Sequence, residues 1–176
     1  MNCSEYLVDF LIHKGITDIF GYAGGYIVPF MDALNNREEI NVHVCYNEQG
    51  CAFAANGYAR MSGKLGVYFT TSGPGAVNAL GGLADAWFDG IPLMGICGNV
   101  PTNEMKGFSG IRQIGFQEMD IVSMTRNITK YSVTPNNGKE FPEIVLRAYN
   151  MALLGRKGGV LIDFPFNIQK TSIAGR

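Results

Sequence analysis

The chain has 176 residues, with 14 Lys and Arg against 15 Asp and Glu (a formal net charge of -1), and 47% of its residues are hydrophobic. That apolar content excludes a disordered chain, near-neutrality argues against nucleic-acid binding through phosphate neutralisation, and 23 glycines without a three-residue period exclude collagen. What remains is one globular domain with 16% charged residues where about 25% is ordinary, a deficit that points to partner protein over part of its surface.

No basic stretch with an apolar core follows Met1, and no apolar run is long enough to span a bilayer, so neither a signal peptide nor a membrane partner is expected. Cys3, Cys45, Cys51 and Cys97 form no C-x-x-C pair, and His13 and His43 stand far apart, so no zinc spacing is present. Buried, reduced thiols in a cytoplasmic protein are the expectation.

In chain order, residues 4–14 place Tyr6, Leu7, Phe10 and Leu11 on one helical face, and Gly15 stops the helix. A strand over 18–22 closes on Ala23-Gly24-Gly25, and a helix with Pro29 in its first turn runs to Asn35. Residues 42–46 read as a strand, 49–62 as a helix and 65–71 as a strand, after which Ser72-Gly73-Pro74-Gly75 opens a helix to about Phe88. Strand 92–97, a long loop over 98–115, helix 117–124, strand 128–133, helix 139–154 and strand 160–164 complete the pattern. Short apolar strands alternating with helices predict an α/β fold, a doubly wound six-stranded parallel sheet with helices on both faces. In such folds ligands meet the loops beyond the carboxyl ends of the strands, here those after Tyr22, Tyr46, Thr71 and Cys97.

Three features in those loops could carry chemistry. Gly73-Pro74-Gly75-Ala76-Val77-Asn78 follows a strand and opens a helix, which suits an anion or, equally, a tight turn. It is neither a dinucleotide fingerprint, since Asn78 stands where Gly or Ala should, nor a P-loop. Glu48, where a strand meets a helix, is either a helix-dipole partner or a partly desolvated acid able to share a proton with a ligand nitrogen. The helix 49–62 carries Gly50, Ala54 and Gly57 on one face beside Ala52, Ala55 and Ala59, and its interior glycines call for close approach by another helix, internal or from a second subunit. Phe88, Met94 and Phe116 read as core.

Phe20-Gly21-Tyr22-Ala23-Gly24-Gly25, Asn47-Glu48-Gln49-Gly50, Asn56-Gly57-Tyr58-Ala59-Arg60 and Thr71-Ser72-Gly73-Pro74-Gly75-Ala76-Val77-Asn78 occur in this order. Ile91-Pro92, Gly115-Phe116-Gln117-Glu118 and Val160-Leu161-Ile162-Asp163-Phe164-Pro165 follow. This ordered set, spanning nearly the whole chain, resembles the N-terminal pyrimidine-binding (PYR) domain of thiamine-diphosphate-dependent enzymes, and most closely the acetolactate-synthase-like group. The resemblance implies a PYR domain over 1–168 and the start of an interdomain linker over 169–176. It places Glu48 as the catalytic glutamate that hydrogen-bonds the cofactor's aminopyrimidine. Tyr22, Gly24, Gly25, Gly73, Pro74, Asn78 and Gln117 would line the cofactor, with Phe116 and Gln117 on the substrate side. The helices Gln49–Ser62 and Pro74–Phe88 would meet a second subunit, giving a dimer.

The implied activity is that of a carboligase or decarboxylase acting on a 2-keto acid such as pyruvate. Magnesium and the diphosphate would be held by a second domain marked by Gly-Asp-Gly, and no Gly-Asp-Gly occurs here. The chain is therefore expected to be half of an active site and inactive alone, as a domain of a longer protein or as the small subunit of a split decarboxylase. FAD is compatible with the resemblance, and these residues do not decide it. Ala23 stands where acetolactate synthases carry Pro, Asn47 stands where they carry His, and the stretch 103–114, with Lys106, Arg112 and Gln113, is longer and more polar than usual. These departures leave room for a specialised acyl-transferring relative. A non-catalytic nucleotide-binding module and a structural dimerisation domain are the rival expectations.

Overall fold

A computed structural model describes residues 1–35, 37–107 and 109–173. The helices are α1 (Cys3–His13), α2 (Val28–Leu34), α3 (Glu48–Ser62), α4 (Pro74–Asn78), α5 (Leu80–Asp89), α6 (Ile121–Thr125), α7 (Phe141–Leu153) and α8 (Phe166–Gln169). The strands are β1 (Asp18–Gly21), β2 (Asn41–Val44), β3 (Gly66–Thr70), β4 (Leu93–Asn99), β5 (Tyr131–Val133) and β6 (Gly159–Pro165), with single 3-10 turns at Gly25–Ile27 and Thr102–Glu104. All six strands are parallel, in the order β2-β1-β3-β4-β6-β5.

Strand parity divides the core in two. Ile19, Val67, Phe69, Ile96, Val160, Ile162 and Phe164 face α1, α2 and α7, burying Leu7, Leu11, Phe30, Phe141 and Val145. Tyr68, Cys97 and Leu161 face α3, α5 and α6, burying Ala52, Ala55, Leu83, Ala86 and Ile121. Crossovers that move toward β5 run on the second face and those that return run on the first, as right-handed connections require. β3, β4 and β6 are buried along their whole length, whereas the edge strand β2 is exposed throughout.

Local chemistry sets the element ends. Asn2 and Glu5 form a reciprocal capping box at the start of α1 (Glu5 N–H to Asn2 Oδ1 2.9 Å, Asn2 N–H to Glu5 Oε2 2.8 Å). The helix expected over 74–88 is divided at Ala79, which ends α4 and begins α5. The helix expected over 117–124 begins only at Ile121, where Asp120 caps it (Ser123 N–H to Oδ1 3.0 Å), because 115–119 is taken up by a turn with Gln117 at φ +57°. The strand expected over 128–133 begins at Tyr131, since Ile128 and Thr129 hydrogen-bond back to the Thr125 carbonyl and prolong the turn after α6.

Beyond β6 the chain turns into α8. The buried Gln169 donates from Nε2 to the Tyr26 and Phe164 carbonyls (both 2.7 Å), and Ser172 bridges to Asn2. Of the stretch 169–176 expected as linker, residues 174–176 lie outside the described residues.

Candidate functional site

β1 and β3 lie side by side, yet the chain leaves β1 for α2 on one face and β3 for α4 and α5 on the other. Their outgoing loops part at this switch point, where a parallel sheet opens a crevice for ligands. The two loops meet closely at its base. A Cβ at Gly24 would lie 2.3 Å from Thr71 Cβ, so only glycine fits there. Thr71 Oγ1 accepts from the Tyr26 N–H (3.4 Å).

Glu48 enters from a third element. Asn47, in extended backbone, caps α3 through Oδ1 (Gly50 N–H, 2.7 Å), and Glu48 is the first residue of that helix. Its half-buried carboxylate points across to α4, where Asn78 donates from Nδ2 to Oε2 at 2.8 Å. Asn78 is its hydrogen-bond partner among the described residues, which leaves Oε1 free to meet a ligand. Between them lies Gly75, where a Cβ would stand 3.0 Å from Glu48 Oε1 and 2.9 Å from Thr71 Cγ2. Glycine here lets α4 lie close against the carboxylate and Thr71. Next to it the buried Ser72 hydroxyl has no partner among the described residues.

Gly73 sits at φ +57°, ψ -122°, and a Cβ on it would lie 2.5 Å from the Gln117 carbonyl oxygen. The turn carrying Phe116 and Gln117 is thus stacked on the glycine turn, and Gln117 is the one non-glycine residue at positive φ among those described. Glu118 holds this turn, accepting from the backbone N–H groups of Lys106 (2.6 Å) and Ile114 (2.9 Å). Lys106 Nζ donates to the Arg112 carbonyl (3.1 Å), so part of the polar stretch 103–114 bonds to itself.

The structure therefore gathers Glu48, Gly73, Gly75, Asn78 and Gln117 in one place, with Gly24 beside them through Thr71. Pro74 opens α4 with its side exposed; Tyr22 and Gly25 lie in the neighbouring β1 loop. Phe116 is 69% exposed and Phe88 68%, so of the three residues read as core only Met94 is buried. Phe116 projects from a turn and Phe88 lies in the last turn of α5, and both are left exposed among the described residues. The thiols divide similarly: Cys3, Cys51 and Cys97 are buried, whereas Cys45 at the β2 edge is half-exposed. Burial pushes the Cys51 thiol up to about 12, with Cys45 and Glu48 adding to it.

The close helix contact expected from α3 is made by other residues. Ala52 meets Gly82 of α5, where a Cβ would lie 2.6 Å from Ala52 Cβ, while the space beside Gly57 is open. Gly57 faces outward, together with Phe53 (44% exposed) and Met61 (89% exposed). Arg60 ties the two helices at their far end, pairing with Asp85 and Asp89 (both 2.7 Å).

Among the buried polar groups of the described residues, one is a carboxylate, which the sequence motifs leave without a role. Asp163 on β6 accepts from Asn99 Nδ2 at both carboxylate oxygens (3.0 Å each) and from Thr134 Oγ1 (2.7 Å). Burial raises this carboxyl to about 7 in spite of those donors. Its signal was a charged residue within the apolar run Val160-Leu161-Ile162-Asp163-Phe164. Among the described residues no group of three or more His, Cys, Asp or Glu is placed to hold a metal ion.

An open α/β sheet with a carboxylate and a carboxamide joined over a glycine turn defines the class. Residues 1–124 match the family described as thiamine pyrophosphate enzyme, N-terminal TPP binding domain, and the chain belongs to that family. It is 42% identical over 170 residues to an acetolactate synthase of Arthrospira platensis, covering 95% of this chain and 28% of that protein. It is 42% identical over 172 residues to the acetolactate synthase isozyme 2 large subunit of Escherichia coli (98% and 30%). It is 41% identical over 170 residues to the acetolactate synthase large subunit of Lactococcus lactis (97% and 28%). The chain thus spans less than a third of the length of these relatives.

Proposed function

We propose that this chain is the pyrimidine-binding half of a thiamine-diphosphate-dependent carboligase or decarboxylase acting on a 2-keto acid such as pyruvate. The observation that carries this reading is the Asn78–Glu48 hydrogen bond over Gly75. The residues present fit an aminopyrimidine. Glu48 Oε1 is free to exchange a proton with a ring nitrogen, Gly75 lets α4 lie close against that carboxylate, and Ser72 in the same turn carries a buried hydroxyl lacking a partner among the described residues.

When bound, the cofactor supplies the electron sink for cleavage beside the keto carbon. The chain's own part is to hold Glu48 by Asn78, to let it exchange a proton at Oε1, and to present Gln117 and Phe116 on the substrate side. Gly24 and Gly25, with Tyr22, would form the wall made by the β1 loop, and Pro74 would brace the glycine turn. Asn47 is committed to capping α3, so the side chain that stands where acetolactate synthases carry His serves the helix.

The diphosphate and its Mg2+ are assigned to a further domain of the same protein, in keeping with relatives that extend well beyond the matched part. A second subunit is assigned to the face of α3 and α5 that carries Phe53, Met61 and Phe88. The unpaired cysteines agree with the cytoplasm expected from the sequence. Calorimetric titration of thiamine diphosphate with Mg2+ into this chain tests the division of labour. Weak binding that is indifferent to Mg2+ is expected, and tight Mg2+-dependent binding would contradict it.

A further inference from the structure

Asp163 and Asn99 are each 3% exposed and lie at the carboxyl ends of neighbouring strands. Asp163 pairs in register with Cys97, so Asn99, two residues on, shares its face of the sheet, the face toward α6. Asn99 turns its amide nitrogen to acceptors alone: both oxygens of Asp163, and the Met119 carbonyl at 3.2 Å. Its Oδ1 accepts from the Val100 N–H at 2.8 Å. With acceptors on one side and a donor on the other, the amide has one satisfactory orientation.

Met119 follows Gln117 by two residues. Gln117 in turn lies over Gly73 in a backbone conformation that L side chains rarely adopt. A strained turn persists only where its surroundings over-determine it. Glu118 secures the turn on its outer side, and the Asp163–Asn99 pair secures it from within the sheet.

We propose that Asp163 is a positioning residue: through Asn99 and the Met119 carbonyl it fixes the turn that sets Phe116 and Gln117 against the Gly73–Glu48 site. This rests on the assignment of Glu48 and Gln117 to a thiamine-diphosphate site. Ionised, Asp163 offers acceptors alone and orients the Asn99 amide; once protonated it presents a donor to the same cluster, and the hold on Met119 loosens. The titratable groups that bear on it are Cys97 on β4 and Asp120 at the start of α6, and Thr134 supplies a neutral hydroxyl.

The test uses the whole protein that carries this domain. Asp163→Asn, an isosteric neutral variant, should exchange backbone hydrogen for deuterium at least threefold faster over residues 113–120 at pH 8, read by mass spectrometry. It should also raise KM for the keto acid about tenfold with kcat changed less, and it should lack the acid limb expected of wild type near pH 7. Thr134→Val keeps the carboxylate but removes a hydrogen bond that favours its ionised form, so its acid limb should move to higher pH.

Wild-type exchange over 113–120 in Asp163→Asn, or an unmoved limb in Thr134→Val, would overturn the proposal. The exchange experiment needs no turnover, so it decides the positioning role even where the protein proves inactive toward keto acids. Such inactivity would count against the proposed function instead.

Discussion

Asn78 donates from Nδ2 to Glu48 Oε2 at 2.8 Å, joining the last residue of α4 to the first residue of α3 across 30 positions of sequence. Glu48 is thereby steered over Gly75 rather than left to extend into solvent from its helix end. Asn78→Ala should leave the fold intact, because Asn78 is exposed, and should cost about 1 kcal/mol of cofactor binding. Cofactor titration of the complete protein checks this. Asn78→Asp should do more damage, since two carboxylates would then face each other.

The glycine turn separates two kinds of glycine. Gly73→Ala must place a Cβ at φ +57° and 2.5 Å from the Gln117 carbonyl oxygen, so it should destabilise the domain by about 1–3 kcal/mol. Gly75→Ala meets only the ends of side chains, Thr71 Cγ2 and Glu48 Oε1. It should fold nearly as wild type yet lose cofactor affinity, because the added methyl displaces the Glu48 carboxylate. Thermal melts alongside binding titrations distinguish the two outcomes.

Much of this was legible in the sequence, and the exceptions have physical causes. Period and punctuation located every strand: β3, β4 and β6 are short apolar runs, whereas the edge strands β2 and β5 alternate apolar with polar residues. Strand β5 came out shorter than read, since Thr129 bonds to the Thr125 carbonyl and extends the preceding turn. Glu48 and Asn78 were recognisable as separate motif residues, but their hydrogen bond depends on how α3 and α4 converge, which no local pattern encodes. Phe116 and Phe88 looked like core because hydrophobicity says nothing about which side of a turn or helix end faces out. Asp163 was missed because one carboxylate in an apolar strand has no partner in its own segment; Asn99 and Thr134 come from elsewhere.

Asp163 also links stability to pH. Its carboxyl lies near 7 when folded, above the ordinary 3.8, so the folded state holds a proton that the unfolded state has released. The stabilisation from that proton is full below about pH 4 and is lost as pH rises through 7. Chemical denaturation should therefore show the stability of wild type falling relative to Asp163→Asn between pH 4 and 8, by a few kcal/mol. A constant difference across that range would assign the titration elsewhere.

The outer sides of α3 and α5 expose Phe53, Met61 and Phe88, and Gly57 on α3 has open space beside it. Partner protein over this face would account for the low charge of the chain. Phe53→Glu with Phe88→Glu should leave the melting temperature of the isolated chain within a few degrees of wild type and weaken the proposed self-association at least tenfold. Analytical ultercentrifugation checks this. Arg60→Ala, which breaks the pairs with Asp85 and Asp89, should cost under about 1 kcal/mol in the monomer because both pairs are exposed.

The central claim is that Glu48 exchanges the proton that activates the cofactor. Its most direct measurement is the rate at which the thiazolium C2 hydrogen of bound thiamine diphosphate exchanges with deuterium in the complete protein. Glu48→Gln keeps the size and one acceptor oxygen but cannot take up a proton, so the rate should fall by about 10²–10⁴. An unchanged rate in a variant that still binds the cofactor would contradict the assignment.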